Sequence, residues 1–171
     1  MRELALPAYR LDVDGRAFDV FDASVEENLA QVLRERLGVT SVKDGCGTGD
    51  CGACAVLLDD TLRLACLTLA IEASGRAVTT AAGVGAGAPS EVTEAFVRVG
   101  AVQCGFCIPG AVVAAHALLA SDPDPSDAAI REGLSGVVCR CGAYGRLIAG
   151  VRAAARARAQ AAAVGADPGP R

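Results

Sequence analysis

The chain turns on Gly45-Cys46-Gly47-Thr48-Gly49-Asp50-Cys51-Gly52-Ala53-Cys54, with Cys66 following after eleven intervening residues. Three cysteines spaced C-x4-C-x2-C, then a fourth further on, make the plant-type [2Fe–2S] ligand pattern. The glycines at 45, 47, 49 and 52 let a short loop close round a compact object, taking positive φ where needed. They also bring backbone N–H groups toward cluster sulfurs, where hydrogen bonds tune reduction potential. A zinc site needs fewer glycines and usually shows two close ligand pairs rather than a triplet plus one. The stretch therefore predicts an iron–sulfur cluster on Cys46, Cys51, Cys54 and Cys66.

Working outward, the residues before the loop read as a hairpin and a helix. Tyr9–Val13 and Arg16–Phe21 alternate apolar and polar around Asp14-Gly15, a turn signal. Ser24-Val25-Glu26-Glu27 fits a capping box, and Leu29, Leu33 and Leu37 give the helix behind it one buried face that ends at Gly38. After the loop, Cys54–Leu58 and Leu62–Cys66 read as a second hairpin across Asp59-Asp60, which brings Cys66 back toward the loop. Ala77–Thr80 is a further short strand. Two hairpins and a helix across a mixed sheet predict an α+β, ferredoxin-like module of the β-grasp kind over residues 1–82.

Residues 83–89, Gly-Val-Gly-Ala-Gly-Ala-Pro, lack periodicity and read as a linker, or equally as an ordered surface loop. Beyond them the pattern becomes helical. Ser90 caps a helix carrying Val92, Phe96 and Val99; Pro109 suits the first turn of a helix over Gly110–Ala120. Asp122-Pro123-Asp124-Pro125 is a break, Ser126 caps a third helix, and a fourth runs from Tyr144 to about Arg158. Residues 161–171 read as a flexible tail.

This second half hides a repeat. Gln103-Cys104-Gly105-Phe106-Cys107 and Val138-Cys139-Arg140-Cys141 each follow one helix and precede another. Two such halves predict a four-helix bundle over 90–160 with both cysteine pairs at one end, beside helix N-termini whose positive dipole favours thiolates. Four cysteines as C-x2-C and C-x-C can hold zinc or a second cluster. The C-x-C pair is uncommon for structural zinc, which favours the cluster.

Composition narrows the class. The chain of 171 residues is 52% hydrophobic, enough for one domain or two small ones. A net charge of −4, four Phe, two Tyr and no Trp leave nothing suited to binding nucleic acid. No apolar stretch is long enough to span a bilayer, and Met1–Pro7 shows no secretory h-region. The expected compartment is therefore the cytoplasm, where eight cysteines read as metal ligands before disulfides. His116 is the only histidine and reads as a packing or surface residue; a Rieske-type site needs two. Glu26, Glu27 and Asp50 read as solvated.

Taken together, Gly45-Cys46 through Cys54, Gln103 through Gly110 and Cys139-Arg140-Cys141-Gly142 resemble the small iron–sulfur subunit of the molybdenum hydroxylases, the family of xanthine dehydrogenase, aldehyde oxidoreductase and carbon monoxide dehydrogenase. The likeness spans about Tyr9 to Ala157. It implies an outer [2Fe–2S] cluster on Cys46, Cys51, Cys54 and Cys66, facing an FAD-binding medium subunit. It implies an inner [2Fe–2S] cluster on Cys104, Cys107, Cys139 and Cys141, against a large subunit that carries the molybdenum pterin cofactor. Gln103 matches a glutamine that contacts this cofactor, and Cys139 or Cys141 lies next to the pterin. The resemblance implies an oxidoreductase complex, a dimer of heterotrimers, with substrate turned over on another chain; N-heterocycle, purine or aldehyde oxidation is the favoured chemistry. This chain itself carries no catalytic residue. One departure is visible: Tyr144-Gly145-Arg146 stands where many members have Pro between Tyr and Arg. A stand-alone ferredoxin-like carrier and a zinc scaffold are the competing classes.

Overall fold

The computed structural model describes residues 8–85 and 90–165. Strands β1 (Tyr9–Val13) and β2 (Arg16–Val20) pair antiparallel across Asp14-Gly15, both at positive φ, as the turn demands. A short helix α1 (Leu29–Gln31) continues as a π-type turn over Val32–Arg36, closed by Leu37 N–H donating to the Val32 carbonyl. Strands β3 (Ala55–Leu58) and β4 (Thr61–Leu64) form the second hairpin, with Asp59 and Asp60 both left-handed. Strand β5 (Ala77–Thr79) runs parallel to β1 and antiparallel to β3, giving the sheet order β2-β1-β5-β3-β4.

The first helix begins later than its capping signal at Ser24. The Ser24 N–H does donate to Glu27 Oε1 at 3.0 Å, but residues 25–28 stay out of the helix. Leu29 N–H donates to the Thr68 carbonyl, and Ala70 N–H to that of Glu27, so this segment is stitched to the 68–70 chain as a bridge. Asn28 caps the helix instead, in a box with Gln31. Glu27 is correspondingly no solvated carboxylate. Arg36 donates to both its oxygens, at 2.6 and 2.5 Å, and holds its carboxyl below the ordinary glutamate value.

The second half contributes α2 (Glu91–Arg98), α3 (Ile108–Ser121), α4 (Asp127–Gly133) and α5 (Tyr144–Gly165). Ser90 and Ser126 cap α2 and α4 through Thr93 N–H and Ala129 N–H, each at 3.2 Å. Helix α5 runs past the expected end at Arg158. Residues 1–7, the 86–89 part of the expected linker and the 166–171 part of the expected tail lie outside the described residues. Within the remainder of the linker, Val84 is buried among the helices. Among the described residues no helix is long and apolar enough to cross a membrane.

Two apolar cores result, and β3 serves both. Val56 and Leu58 face Leu11, Leu29, Leu33 and Val78 on one side of the sheet. Ala55 and Leu57 face Val92, Phe96, Val113 and Leu147 on the other. Ala55-Val56-Leu57-Leu58 is accordingly a continuous apolar run, as a strand covered on both faces requires.

An ion pair ties the first turn of α2 to α5: Arg158 donates to Glu91 Oε1, and its other arm reaches His116 Nδ1 on α3 at 3.2 Å. Burial pushes the Glu91 carboxyl up, but its own N–H and Arg158 outweigh this and leave it net below its ordinary value. A depressed folded-state value contributes stability above the unfolded value, lost as pH falls through the folded one. Glu91→Gln is therefore expected to lower the thermal midpoint at neutral pH. In acid below the carboxylate range the variant and the parent should melt together.

Candidate metal centres

The first cysteine site is built where β3 begins and β4 ends. Register pairs Ala55 with Leu64, and Ala65 N–H donates to the Cys54 carbonyl at 3.2 Å, so Cys66 arrives beside Cys54. The preceding loop folds on itself with Gly47, Gly49 and Gly52 at positive φ. Cys51 N–H donates to Cys46 Sγ at 3.4 Å. Cys46 is exposed, Cys51 half-buried, and Cys54 and Cys66 buried. Asp50 accepts from Thr48 Oγ1 at 2.6 Å at the exposed rim of this loop.

The second site lies between the start of α3 and the approach to α5. Cys104, Cys107, Cys139 and Cys141, with Gln103, line one tight cleft. Cys107 and Cys139 are buried; Cys104 and Cys141 are exposed. Ala143 N–H, just ahead of α5, donates to Cys139 Sγ at 3.4 Å. The structure thus brings together, in two groups of four, every cysteine singled out by spacing. Gln103 is exposed at the mouth of the second group. His116 is half-buried against Arg158, far along α3 from its cysteine end.

Within each group the thiols act on one another: Cys46 lies near Cys51 and Cys66, Cys54 near Cys66, and Cys104, Cys107, Cys139 and Cys141 near one another. One tetrahedral ion with Zn–S near 2.3 Å needs all four sulfurs within about 3.8 Å of each other. Among the described residues, no three cysteine, histidine or acidic side chains converge in that way. A two-iron cluster, with two thiolates on each iron, needs no such convergence on a single ion.

Thiol acidity agrees with that donor set. The Thr48 hydroxyl and N–H, with Cys51 N–H, bring Cys46 down to about 6. Phe106 N–H and then Cys141 lower Cys104. Burial opposes ionisation at Cys139, but the Ala143 N–H and the Cys107 thiol outweigh it. Burial first, then the neighbouring sulfurs, push Cys66 up to about 11 and Cys107 to about 12. Each site therefore couples thiols that ionise readily with buried ones that need a metal cation in place of the proton.

The two sites share a backbone seam. Val138 N–H donates to the Cys51 carbonyl at 3.0 Å, joining the residue ahead of Cys139 to a cysteine of the other group. Gly52, at φ +69°, makes this approach possible: a Cβ there would stand 2.2 Å from the Gly136 carbonyl oxygen. On the other side, a Cβ on Gly110 would stand 2.2 Å from the Gly52 oxygen.

Comparison with known proteins bears on the same residues. Residues 12–70 match the family model of a 2Fe-2S iron-sulfur cluster binding domain, and residues 80–152 that of a [2Fe-2S] binding domain. The chain is 40% identical over 150 residues to a probable xanthine dehydrogenase subunit of Bacillus subtilis (strain 168), covering 88% of this chain and 84% of that one. It is 41% identical over 143 residues to the nicotinate dehydrogenase small FeS subunit of Eubacterium barkeri, covering 83% and 90%. This chain belongs to the small [2Fe–2S] subunits of the molybdenum hydroxylases. Among solved structures, quinoline 2-oxidoreductase from Pseudomonas putida 86 superposes on this small subunit with a TM-score of 0.82 at 36% identity, covering 91% of this chain and 97% of that one.

Two features of the small subunit escape a reading of cysteine spacing. One is the seam at Gly52, Gly110 and Gly136, whose partners lie far apart in sequence. The other is Tyr144, whose hydroxyl oxygen accepts from Cys139 N–H at 2.9 Å. The Tyr that precedes the departing Gly145 was the available signal.

Proposed function

We propose that this chain is the electron-transfer subunit of a molybdenum hydroxylase, with Cys46, Cys51, Cys54 and Cys66 holding an outer [2Fe–2S] cluster and Cys104, Cys107, Cys139 and Cys141 an inner one. The convergence of Cys104, Cys107, Cys139 and Cys141 on one cleft, within a chain whose two halves match [2Fe-2S] domain models, is the observation that carries this reading. When bound, the clusters supply one-electron transfer between the molybdenum pterin of a large subunit and the FAD of a medium subunit.

The chain's own residues hold, shield and present the clusters. Buried Cys54, Cys66, Cys107 and Cys139 anchor each cluster from the protein side, while Cys46, Cys104 and Cys141 face outward. Around the inner site Val102, Phe106, Val138 and Tyr144 are exposed apolar side chains, a surface suited to burial under the large subunit. No carboxylate residue occurs in 99–121 or 133–165, so Arg140 and Arg146 give this face a positive balance. Gln103, at the mouth, is placed to contact the pterin, with Cys139 or Cys141 next to it. The division into a β-grasp module over 1–82, a linker over 83–89 and a four-helix bundle over 90–160 belongs to the same proposal. It is supported by the sheet order, and by α2 packed on α5 and α3 on α4. The assembly is a dimer of heterotrimers in the cytoplasm. Relatives named for N-heterocycle and for aldehyde substrates stand at similar identity, in keeping with N-heterocycle, purine or aldehyde oxidation by the complex.

Iron and acid-labile sulfide in the purified native assembly test this directly. About four of each per chain, with visible absorbance bleached by dithionite, is the expected result. About two of each would remove one site, and a colourless zinc protein would remove both.

A further inference from the structure

The segment from Cys139 to Tyr144 closes on itself in both directions. Ala143 N–H donates to Cys139 Sγ at 3.4 Å, and Cys139 N–H donates to the Tyr144 hydroxyl oxygen at 2.9 Å. Gly142 N–H adds a bond to the Cys139 carbonyl at 3.1 Å. The arrangement has the logic of a capping box. A side chain ahead of the helix accepts from an early N–H, and a side chain of the first turn returns the bond to the leading residue. Here the reciprocal pair closes one step earlier: the thiol accepts from the N–H of Ala143, the residue ahead of α5, and the phenol of the first helical residue returns the bond. Tyr144 is the first residue of α5, whose opening turn is fixed by Leu147 N–H on the Ala143 carbonyl at 2.9 Å. The phenol is thus an arm of a 22-residue helix reaching back to the backbone of a cysteine.

That bond governs two things. It holds the Cys139 peptide in one orientation, while the Ala143 N–H bond holds Sγ, which lines the cleft shared with Cys104, Cys107 and Cys141. It also occupies a part-buried N–H that lies one residue from the seam to Cys51.

We propose that Tyr144 is a positioning residue for the inner cluster, holding the Cys139 N–H so that the thiolate is aimed and the N–H is kept off the cluster sulfurs. This rests on the assignment of Cys139 as an inner-cluster ligand. Without the phenol oxygen the freed N–H turns toward sulfur, which stabilises the more negative reduced cluster and raises its potential. The ligand also loses an outer-shell support of the kind whose removal costs about 10- to 100-fold in metal affinity.

The test is Tyr144→Phe, which keeps the ring and its packing and removes one oxygen. In the native assembly, redox titration followed by electron paramagnetic resonance should show the inner signal altered, with its midpoint raised. The outer signal and its midpoint should match the parent. In the full small chain carrying its clusters, with excess dithionite present to reduce released iron, half the iron should pass to a ferrous chelator about 10- to 100-fold faster, the other half at the parental rate. An inner midpoint that stays or falls overturns the proposal. Equal changes in both clusters, or a chain that no longer folds, overturn it too, since the hydroxyl would then serve the fold at large. If the parent itself holds only two irons per chain, the assignment of the site has failed; four irons with an indifferent Tyr144→Phe defeats only the role of Tyr144.

Discussion

Gly52→Ala should unseat the cysteine loop from the helical half and strip iron from both sites. The residue sits at φ +69°, where an L side chain costs about 1–2 kcal/mol. Its Cβ would then stand 2.2 Å from the Gly136 oxygen and 3.0 Å from the carbonyl carbon, both backbone atoms with no rotamer to escape into. Retreat is blocked from behind, because the Gly52 oxygen already touches Gly110 at the start of α3. Something must give, and what lies on either side is Cys51 and the segment leading to Cys139. The expected cost is about 3 kcal/mol or more, which for a chain of this size lowers the thermal midpoint by roughly 6–12 °C. Gly75→Ala is the matched control, with φ +73° and nothing within 4 Å of the added carbon. It should cost only the backbone term, about 1–2 kcal/mol, and keep its iron. Equal midpoints and equal iron in the two variants would show that the seam yields.

The second large effect is expected at Asp14. Its carboxylate accepts from Thr80 N–H through Oδ1 and from Thr80 Oγ1 through Oδ2, each at 2.7 Å. Thr80 is fully buried, and its hydroxyl also meets Ser41 Oγ at 2.9 Å and accepts from Ala82 N–H at 3.2 Å. The network fastens the first hairpin to the chain just where it leaves β5 for the helices. Asp14→Ala deprives a buried N–H and a buried hydroxyl of their acceptor, at about 1–3 kcal/mol for each. A total of about 2–6 kcal/mol should appear as a lower urea midpoint. Asp14→Asn keeps one acceptor in place and should lose about half as much. If the alanine variant unfolds at the parental urea concentration, water has replaced the carboxylate and Thr80 is less enclosed than its burial indicates.

The chemistry was legible because cysteine spacing is local. Cys46, Cys51 and Cys54 lie within one loop, and the second hairpin, followed by a 3-10 turn over Ala65–Leu67, returns Cys66 to it. The caps at Ser90 and Ser126 and the turn at Asp14-Gly15 were equally plain. The start of α1 misled, because Ser24-x-x-Glu27 and Asn28-x-x-Gln31 are both good boxes. The choice between them fell to Thr68 and Ala70, some forty residues away, and to Arg36, which claims Glu27. Asp14 declared itself as a turn residue but not as the acceptor for Thr80, sixty-six positions on. The glycines of the loop were legible as turn formers. That Gly52 is also a contact surface depended on Gly110 and Gly136, and no periodicity links the three.

The strand shared by two cores makes the small subunit a single cooperative unit. Were the helices cut away, Ala55 and Leu57 would face water from the middle of the sheet, and Val84 would lose its cover. Neither half then has a local opening that leaves the other intact, so protection against amide exchange should rise and collapse across both together. An excised fragment of the sheet half would present a sticky face, a hazard for aggregation that the packed helices cover in the intact chain.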